Sequence, residues 1–241
     1  MSLYSGTLDL PPGTDAFLQS LPLFKGLSKE QVCQVAERMR RRSFASGVVL
    51  FHQDMPGLTL YLIEGGWVRI FSIGQTGQEL THSIFGPGDV FGELSLLDQK
   101  HHSATAVTLA PTAVWLLPRA DLYDCMERFP SVNRAMMHLL VSRMRTVIGH
   151  SEAMTFQDVQ GRLAYELLYL AEKHGSVVGG QIEINIPLTQ GDLATMVGAT
   201  RESVNKALAA LRSRELVKVS GSHFSVGDLE GLRRILYERG R

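Results

Sequence analysis

The sequence is poor in cysteine and has no long apolar run. Its two cysteines, Cys33 and Cys125, lie far apart and match neither a CxxC motif nor a metal-ligand spacing, which argues against disulfides and iron–sulfur sites. No apolar stretch reaches the roughly 18 residues of a transmembrane helix, and the start MSLYSGTLDLPPG lacks a basic region followed by an apolar one. We therefore expect a cytoplasmic protein without a membrane partner, in which Cys125 is a small buried residue.

An excess of charge of one sign is also missing. Lys+Arg and Asp+Glu both number 24, so any binding of nucleic acid must come from a local patch. Residues 161–241 carry 11 basic and 9 acidic side chains, which is a slight local excess. The sequence has no P-loop, no HExxH motif and no recognisable Ser-His-Asp order, so we expect neither an enzyme nor a metal site.

Much of the first half of the chain has the residue pattern of a β protein. Two short helical segments come first, DAFLQSLPLF and LSKEQVCQVAERM, with Ser28 as the N-cap of the second. From Ser43 to Leu117, short segments rich in β-branched and aromatic residues alternate with turn signals such as Pro87-Gly88. Six or more strands at this spacing predict an antiparallel sandwich or jelly roll.

Helical periodicity follows. Between Ser131 and Phe156 a single apolar stripe recurs at steps of three, four and seven, and periodicity alone leaves open whether it packs within its own domain or forms a two-helix dimer seam. A second helix is expected over Asp158–His174, then a glycine-rich joint at 175–181 and a short strand, IEINIP. The residues of the stripe are Met137, Leu140, Met144, Val147, Ile148 and Met154.

The segment from Leu188 to Val217 has the features of two helices joined by a tight turn. Gly198 stands where the first helix must end in a left-handed residue, and Thr200 is placed to cap the second. An ordinary helical hairpin is the alternative, but the polar cluster at the start of the second helix is what a DNA-recognition helix needs. The candidate DNA contacts are Thr189, Gln190, Thr200, Arg201, Glu202, Ser203, Asn205 and Lys206.

Two short strands around Gly221 and a helix over Asp228–Arg239 complete a winged helix-turn-helix. With these pieces in order, the chain resembles the CRP/FNR family of bacterial transcription regulators along nearly its whole length. The resemblance rests on PGDVFGELSLL followed by SATA, on FQDVQGRLAYELLYLA, and on LTQGDLATMVGATRESVNKALAALR.

The resemblance implies an α+β fold with three parts. These are an N-terminal cyclic-nucleotide-binding-type β jelly roll (1–130), a long dimerisation helix (131–156) and a C-terminal winged helix-turn-helix (157–241). It assigns the apolar stripe to a homodimer seam and makes double-stranded DNA and RNA polymerase the expected partners. The expected dimer interface is Met137, Leu140, Met144, Val147 and Ile148.

By the same resemblance, Arg201 should read a guanine edge, Glu202 should accept from a cytosine amino group, and Ser203 should bind phosphate. Lys206 replaces the arginine that is usual at its position in the family. Because lysine lacks the planar fork of a guanidinium, we expect a palindromic TGTGA-like operator that is read less strictly at one base pair.

The resemblance also implies an effector pocket around Glu93, whose counterpart in relatives that bind cyclic AMP accepts the ribose 2′-hydroxyl. His102 occupies the place of the arginine that holds the cyclic phosphate, and Val147 and Ile148 occupy the places of the Thr and Ser that contact adenine. These departures argue against ordinary cyclic-AMP binding. The expected pocket residues are Gly92, Glu93, Leu94, Ser95, His102, Ser103, Ala104, Val147 and Ile148.

Several alternatives for the sensory domain stay open. The domain is either effector-independent, with Glu93 accepting N–H bonds in its own turn, or it binds a small anion through Lys100, His101 and His102. Activation by cyclic AMP is the second hypothesis. The two histidines are expected to be solvated loop residues. A haem sensor is disfavoured because Gly92 and Leu94 replace the expected Cys and His, and an FNR-type oxygen sensor because an N-terminal cysteine cluster is missing. A nucleotide-binding module that does not act on DNA is the competing class, since such modules lack the 188–217 segment.

Overall fold

The structure is a computed structural model that describes residues 13–238, with only the backbone described for Glu238. The expectations for the N-terminal tail and for Arg239 fall outside the described residues. Within residues 13–238 no helix combines the length and the apolar character needed to cross a membrane. The fold is α+β, as predicted.

Eight short strands form a β sandwich, which confirms the predicted jelly roll. One antiparallel sheet has the order first, eighth, third and sixth strand, and the other has the order second, seventh, fourth and fifth. Apolar residues from both sheets meet in one buried cluster, including Ile63, Val68, Phe91 and Val114. The strands are β1 (Arg40–Phe44), β2 (Val49–Phe51), β3 (Thr59–Gly65), β4 (Val68–Ile73), β5 (Glu79–Phe85), β6 (Val90–Phe91), β7 (Thr105–Thr108) and β8 (Thr112–Pro118).

Helices cover one side of the sandwich. The Ser28 side chain accepts a bond from the backbone N–H of Gln31, whose side chain accepts from the backbone N–H of Ser28, a capping box that confirms the predicted start. Cys125 is 2% exposed and packs with Trp115, as expected for a structural cysteine. The helices are α1 (Thr14–Ser20), α2 (Lys29–Ala36), α3 (Glu93–Leu97) and α4 (Arg119–Arg128).

A single helix, α5 (Pro130–Phe156), follows, and proline at its first position fixes the start. Its first turns pack against the sandwich, but most of the apolar stripe faces outward: Met137 is 58% exposed and Val147 67%. Met154 departs from the predicted stripe. Its sulfur accepts a bond from Nη1 of Arg162 at 3.5 Å, because this last turn already packs on the C-terminal domain.

The C-terminal domain surrounds a second long helix. Its elements are α6 (Val159–His174), β9 (Gly175–Val178), β10 (Gln181–Ile184), α7 (Gln190–Val197), α8 (Arg201–Ser213), β11 (Val217–Ser220), β12 (His223–Val226) and α9 (Leu229–Glu238). The sheet order β11-β12-β10-β9 includes the predicted wing, β11 and β12. The joint predicted at 175–181 is wrong: residues 175–178 pair with β10, and Gly179 and Gly180 supply the positive φ angles of a hairpin turn.

The C-terminal domain docks directly on the sandwich. Ile84 of β5 is fully buried in the core of the C-terminal domain. The hydroxyl of Thr81 on β5 lies 2.8 Å from that of Thr195 on α7, and Nζ of Lys173 lies 3.0 Å from Oδ2 of Asp89. Strand β5 therefore connects the sandwich to the C-terminal domain.

Candidate functional site

A cavity of about 360 Å³ lies between the sandwich and α5. It contains every predicted pocket residue except Ile148, together with several that the sequence did not reveal. The predicted set in the wall is Gly92, Glu93, Leu94, Ser95, His102, Ser103, Ala104 and Val147, and the additional residues are Phe51, Ile70, His82, Ser83, Phe85, Phe91, Arg143 and Thr146.

Glu93 is buried at the start of α3. Gly92 precedes it with a φ of 86°, and a side chain there would approach the carbonyl oxygen of Thr59 to 2.9 Å, so the tight turn requires glycine. Glu93 is 5% exposed, and its Oε1 lies 3.6 Å from Nε of Arg143. Burial raises the pKa of Glu93, while the Arg143 charge and the backbone N–H of Glu93 itself act in the opposite direction.

Arg143 is the cation that Glu93 faces. It projects from α5, its guanidinium carbon lies 4.0 Å from the centre of the Phe85 ring, and Nη2 donates to the carbonyl oxygen of Val90 at 2.6 Å. Its Nε has no hydrogen-bond partner among the described residues although it is buried. Glu93 and Arg143 therefore place a carboxylate and a guanidinium in the wall of the cavity, and their opposite charges compensate each other.

His102 is buried, which corrects the expectation of a solvated loop residue; His101 next to it is exposed, as expected. The imidazole is 6% exposed and stacks on the Phe51 ring with centroids 3.6 Å apart. Its Nδ1 lies 2.9 Å from the Ser95 hydroxyl, and burial lowers the pKa of His102. His102 is therefore a neutral, stacked ring at neutral pH rather than a cation.

The α5 wall of the cavity corrects one further expectation. Val147 lines the cavity with Thr146 and Arg143, but Ile148 does not, because one step along a helix turns the side chain by about 100°. Ile148 is 54% exposed on the outer side of α5. The only hydroxyl that α5 offers to the cavity within the described residues is that of Thr146.

The helix-turn-helix is built by three local signals, of which those at Gly198 and Thr200 were predicted and the cap at Thr189 was not. Thr189 caps α7, accepting from the backbone N–H of Asp192, whose carboxylate accepts in return from the backbone N–H of Thr189. Gly198 ends α7 with a φ of 59°, and Thr200 caps α8 by accepting from the backbone N–H of Ser203 at 3.2 Å. The two helices are thus fixed at a short, defined turn.

Helix α8 has a docked side, which packs on the domain core, and a free side, which is exposed to solvent. Its docked side is apolar and buried, with Val204 and Leu211 fully inaccessible to solvent. The free side carries Arg201, Glu202, Asn205 and Lys206, all exposed. Glu202 and Lys206 form a pair with Oε1 and Nζ 2.8 Å apart, at side-chain exposures of 79% and 77%.

An exposed pair of this kind contributes only about 0.3–0.5 kcal/mol, so both side chains are available to a ligand. The remaining predicted DNA contacts are less free. Ser203 is half-buried, and its hydroxyl lies 2.9 Å from that of Thr200, within the cap of the helix. Gln190 is also half-buried, at the start of α7.

Comparison with known proteins agrees with both the β sandwich that carries the cavity and the helix-turn-helix. Residues 41–129 match the family described as "Cyclic nucleotide-binding domain", and residues 161–235 match "Crp-like helix-turn-helix domain". The chain is 31% identical over 220 residues to a CRP-like cAMP-activated global transcriptional regulator of Mycobacterium tuberculosis, covering 91% of this chain and 98% of the relative. It is 32% identical to a cyclic AMP receptor protein of Thermus thermophilus, covering 91% and 99%.

Among solved structures, FixK2 from Bradyrhizobium japonicum superposes with a TM-score of 0.74 at 22% identity, over 82% of this chain and 96% of that one. At this identity the match supports the fold alone. The match to relatives above 30% identity over nine-tenths of the chain goes further. The chain belongs to the CRP/FNR family of DNA-binding transcription regulators.

Proposed function

We propose that the chain works as a homodimer that reads a palindromic TGTGA-like operator, under the control of a pocket that takes an effector other than cyclic AMP or none. The observation that carries the DNA part is the free side of α8. Its polar side chains are exposed in the first two turns, while the opposite side is held by a buried apolar core. A helix fixed in this way presents its N-terminal residues to a major groove.

Each half of the operator would be read by residues of the first two turns of α8. Arg201 has the geometry to donate two bonds to a guanine edge, and Glu202 accepts from a cytosine amino group. Lys206 lies four residues after Glu202 on the same helix. Its ammonium group contacts a base at one point, because it lacks the two parallel N–H donors of a guanidinium. We propose RNA polymerase as the further partner, on the family resemblance.

The dimer part of the proposal depends on α5. Met137, Met144, Val147 and Ile148 are between 54% and 67% exposed on one helix. Met137 and Met144 are seven residues apart, which is the repeat of a two-helix coiled-coil seam. A second copy of α5 would bury this stripe, and the two α8 helices would then meet successive major grooves about 34 Å apart.

The effector part of the proposal depends on the charge in the pocket. A cyclic phosphate needs a cation or several donors, yet the residue at the phosphate position is the neutral His102, stacked on Phe51. The guanidinium of Arg143 is already held by Glu93, Phe85 and a backbone carbonyl. We infer that the affinity for cyclic AMP is weak and that Glu93 serves to orient Arg143.

A second candidate is dependence on cyclic AMP. It is favoured by the buried carboxylate of Glu93 beside Arg143, and by the cyclic-AMP descriptions of the two relatives named above. In that case Glu93 would accept the ribose hydroxyl, and Ser103 would donate to the phosphate.

The DNA part is tested by selecting duplexes from a random library with the purified chain. We expect enrichment of an inverted repeat whose half-sites resemble TGTGA, with the weakest preference at the base pair that Lys206 contacts. The Arg201→Ala variant should lose the preference at one base pair of each half-site and retain it elsewhere. Enrichment of no sequence, or of a single half-site without its inverted partner, would refute the proposal.

A further inference from the structure

Where α5 gives way to α6, the two helices bury a pair of ionisable side chains. Glu166 is 4% exposed, and its Oε1 lies 3.6 Å from Nε2 of His150. Within residues 13–238, neither Oε2 of Glu166 nor Nε2 of His150 has a hydrogen-bond partner. The His150 ring makes edge-to-face contacts with the rings of Tyr165 and Tyr169, and each pair of ring centroids is 5.3 Å apart. The pair therefore lies in an apolar and aromatic setting.

The setting decides where protons bind. Burial raises the pKa of Glu166 to about 8 and lowers the pKa of His150, to which His82 also contributes. At neutral pH the pair then holds one proton, on the carboxyl group, and neither side chain is charged. A buried carboxylate beside a neutral imidazole would be costly, since no lysine or arginine among residues 13–238 forms an ion pair with it.

The two neighbouring tyrosines and His174 titrate away from pH 8. Burial and four neighbouring groups raise the pKa of Tyr165 to about 12, and burial raises that of Tyr169. Burial, together with Lys173, lowers the pKa of His174 to about 4. The other ionisable groups around the pair and its two tyrosines are His82 and Asp89 from the sandwich, Arg143 and Glu152 from α5, and Arg162, Glu172 and Lys173 from α6.

The pair also lies at the joint between the domains. Strand β5 carries His82 beside His150, and its neighbours Thr81 and Ile84 contact α7 and the C-terminal core. At the end of α6, Nε2 of His174 lies 3.3 Å from the carbonyl oxygen of Ile84. A change in how α6 packs on α5 would therefore move the whole helix-turn-helix relative to the sandwich.

We propose that Glu166 and His150 form a proton-controlled latch that holds the DNA-binding domain against the sandwich. With its proton the pair is neutral and stays buried between α5 and α6. When the Glu166 carboxyl releases its proton to solvent, the remaining carboxylate favours a conformation in which α6 separates from α5 and the charge reaches water. The latch needs only a proton, and it requires neither an effector nor DNA.

The sign and size of the effect follow from linkage. In a released conformation Glu166 returns toward its ordinary pKa of 4.5 and His150 toward 6.5. Between about pH 6.5 and 8 the latched form holds one proton more, so the ratio of released to latched protein rises about tenfold per pH unit. Below about pH 6.5 the released form regains a proton on His150, and the dependence flattens.

The carboxyl group is tested by carbon-13 NMR of the glutamate-labelled full chain titrated from pH 4 to 9. We expect one glutamate carboxyl to titrate near pH 8, to vanish in Glu166→Gln and to persist in Glu172→Gln, a matched change at an exposed position of α6. A wild-type chain in which every glutamate titrates near pH 4–5 would overturn the proposal. So would a titration near pH 8 that is the same in the wild type and in Glu166→Gln, because Glu166 would then contribute none of it.

The release of the domain has its own reporter. Trp67 packs edge-on against His174 at the domain contact, with centroids 5.0 Å apart, and Trp67→Phe gives the background emission. We expect emission from Trp67 to change between pH 6.5 and 8.5 in the wild type and in Glu172→Gln, but not in Glu166→Gln. Equal transitions in all three would overturn the proposal. If Glu166→Gln fails to fold by circular dichroism, His150→Gln replaces it: without the imidazole the pH dependence should continue below pH 6.5, and a dependence that still flattens there would equally overturn the proposal.

Discussion

Replacing His102 by arginine tests the account of the pocket. The imidazole is buried, stacks on Phe51 and bonds to the Ser95 hydroxyl, and it is neutral because burial lowers its pKa. An arginine at this position keeps a flat group that can lie on the Phe51 ring, and adds a permanent charge and five donors where a cyclic phosphate would bind.

The size of the gain follows from one new charged hydrogen bond. Such a bond contributes about 1.5–3 kcal/mol, so His102→Arg should bind cyclic AMP about 10- to 150-fold more tightly than the wild type. The free energy of unfolding without ligand should fall by more than about 1 kcal/mol, because the bond to Ser95 is lost and a permanent charge is placed at a buried position.

Isothermal titration calorimetry with cyclic AMP at fixed salt measures the gain. His101→Arg is the matched control, because it adds the same charge at the adjacent but exposed residue. We expect little change for the control, since an exposed charge is screened by solvent. Equal gains in the two variants, or tight binding by the wild type, would refute the reasoning that His102 limits phosphate binding.

Four further outcomes are expected. Arg201→Ala should cost about 1–3 kcal/mol in operator binding at one base pair, measured by competition with single-base variants; equal weakening on all sequences would contradict its role. Met144→Glu should yield a monomer in sedimentation, because it places like charges across the seam. Thr200→Ala should lower the free energy of unfolding by about 1 kcal/mol in urea titrations, through loss of the cap. Glu166→Gln should remove a pH dependence of stability, worth about 1.4 kcal/mol per pH unit, by which the wild type weakens as pH rises from about 6.5 to 8.

The elements with local signals were predictable from the sequence. Strands such as β3 and β5 are rich in β-branched and aromatic residues, and both lie in the stretch from Ser43 to Leu117 that was predicted to form strands. Helix ends at Ser28, Gly198 and Thr200 each depend on one residue and its immediate neighbours. Strand β1 was missed because Arg40, Arg41 and Arg42 are all exposed and show no alternation.

The pocket depended on contacts between residues far apart in the chain, and these leave no local pattern. Arg143 looks like any basic residue on a helix until Glu93 is brought beside it. His102 looks like a solvated loop residue because Phe51, on which it stacks, belongs to another strand. Glu166 did carry a signal: Leu163 and Leu170, three and four residues away, mark its side of α6 as buried.

The central claim is tested most directly by fluorescence anisotropy of a labelled palindromic TGTGA/TCACA duplex, titrated with the purified protein at fixed salt with and without cyclic AMP. The account predicts tight binding to this duplex, weak binding to a scrambled duplex of the same composition, and the same affinity whether or not the nucleotide is present. Equal affinity for the palindromic and scrambled duplexes would contradict the DNA-reading role of α8. Binding only in the presence of cyclic AMP would contradict the proposal that the pocket takes another effector or none.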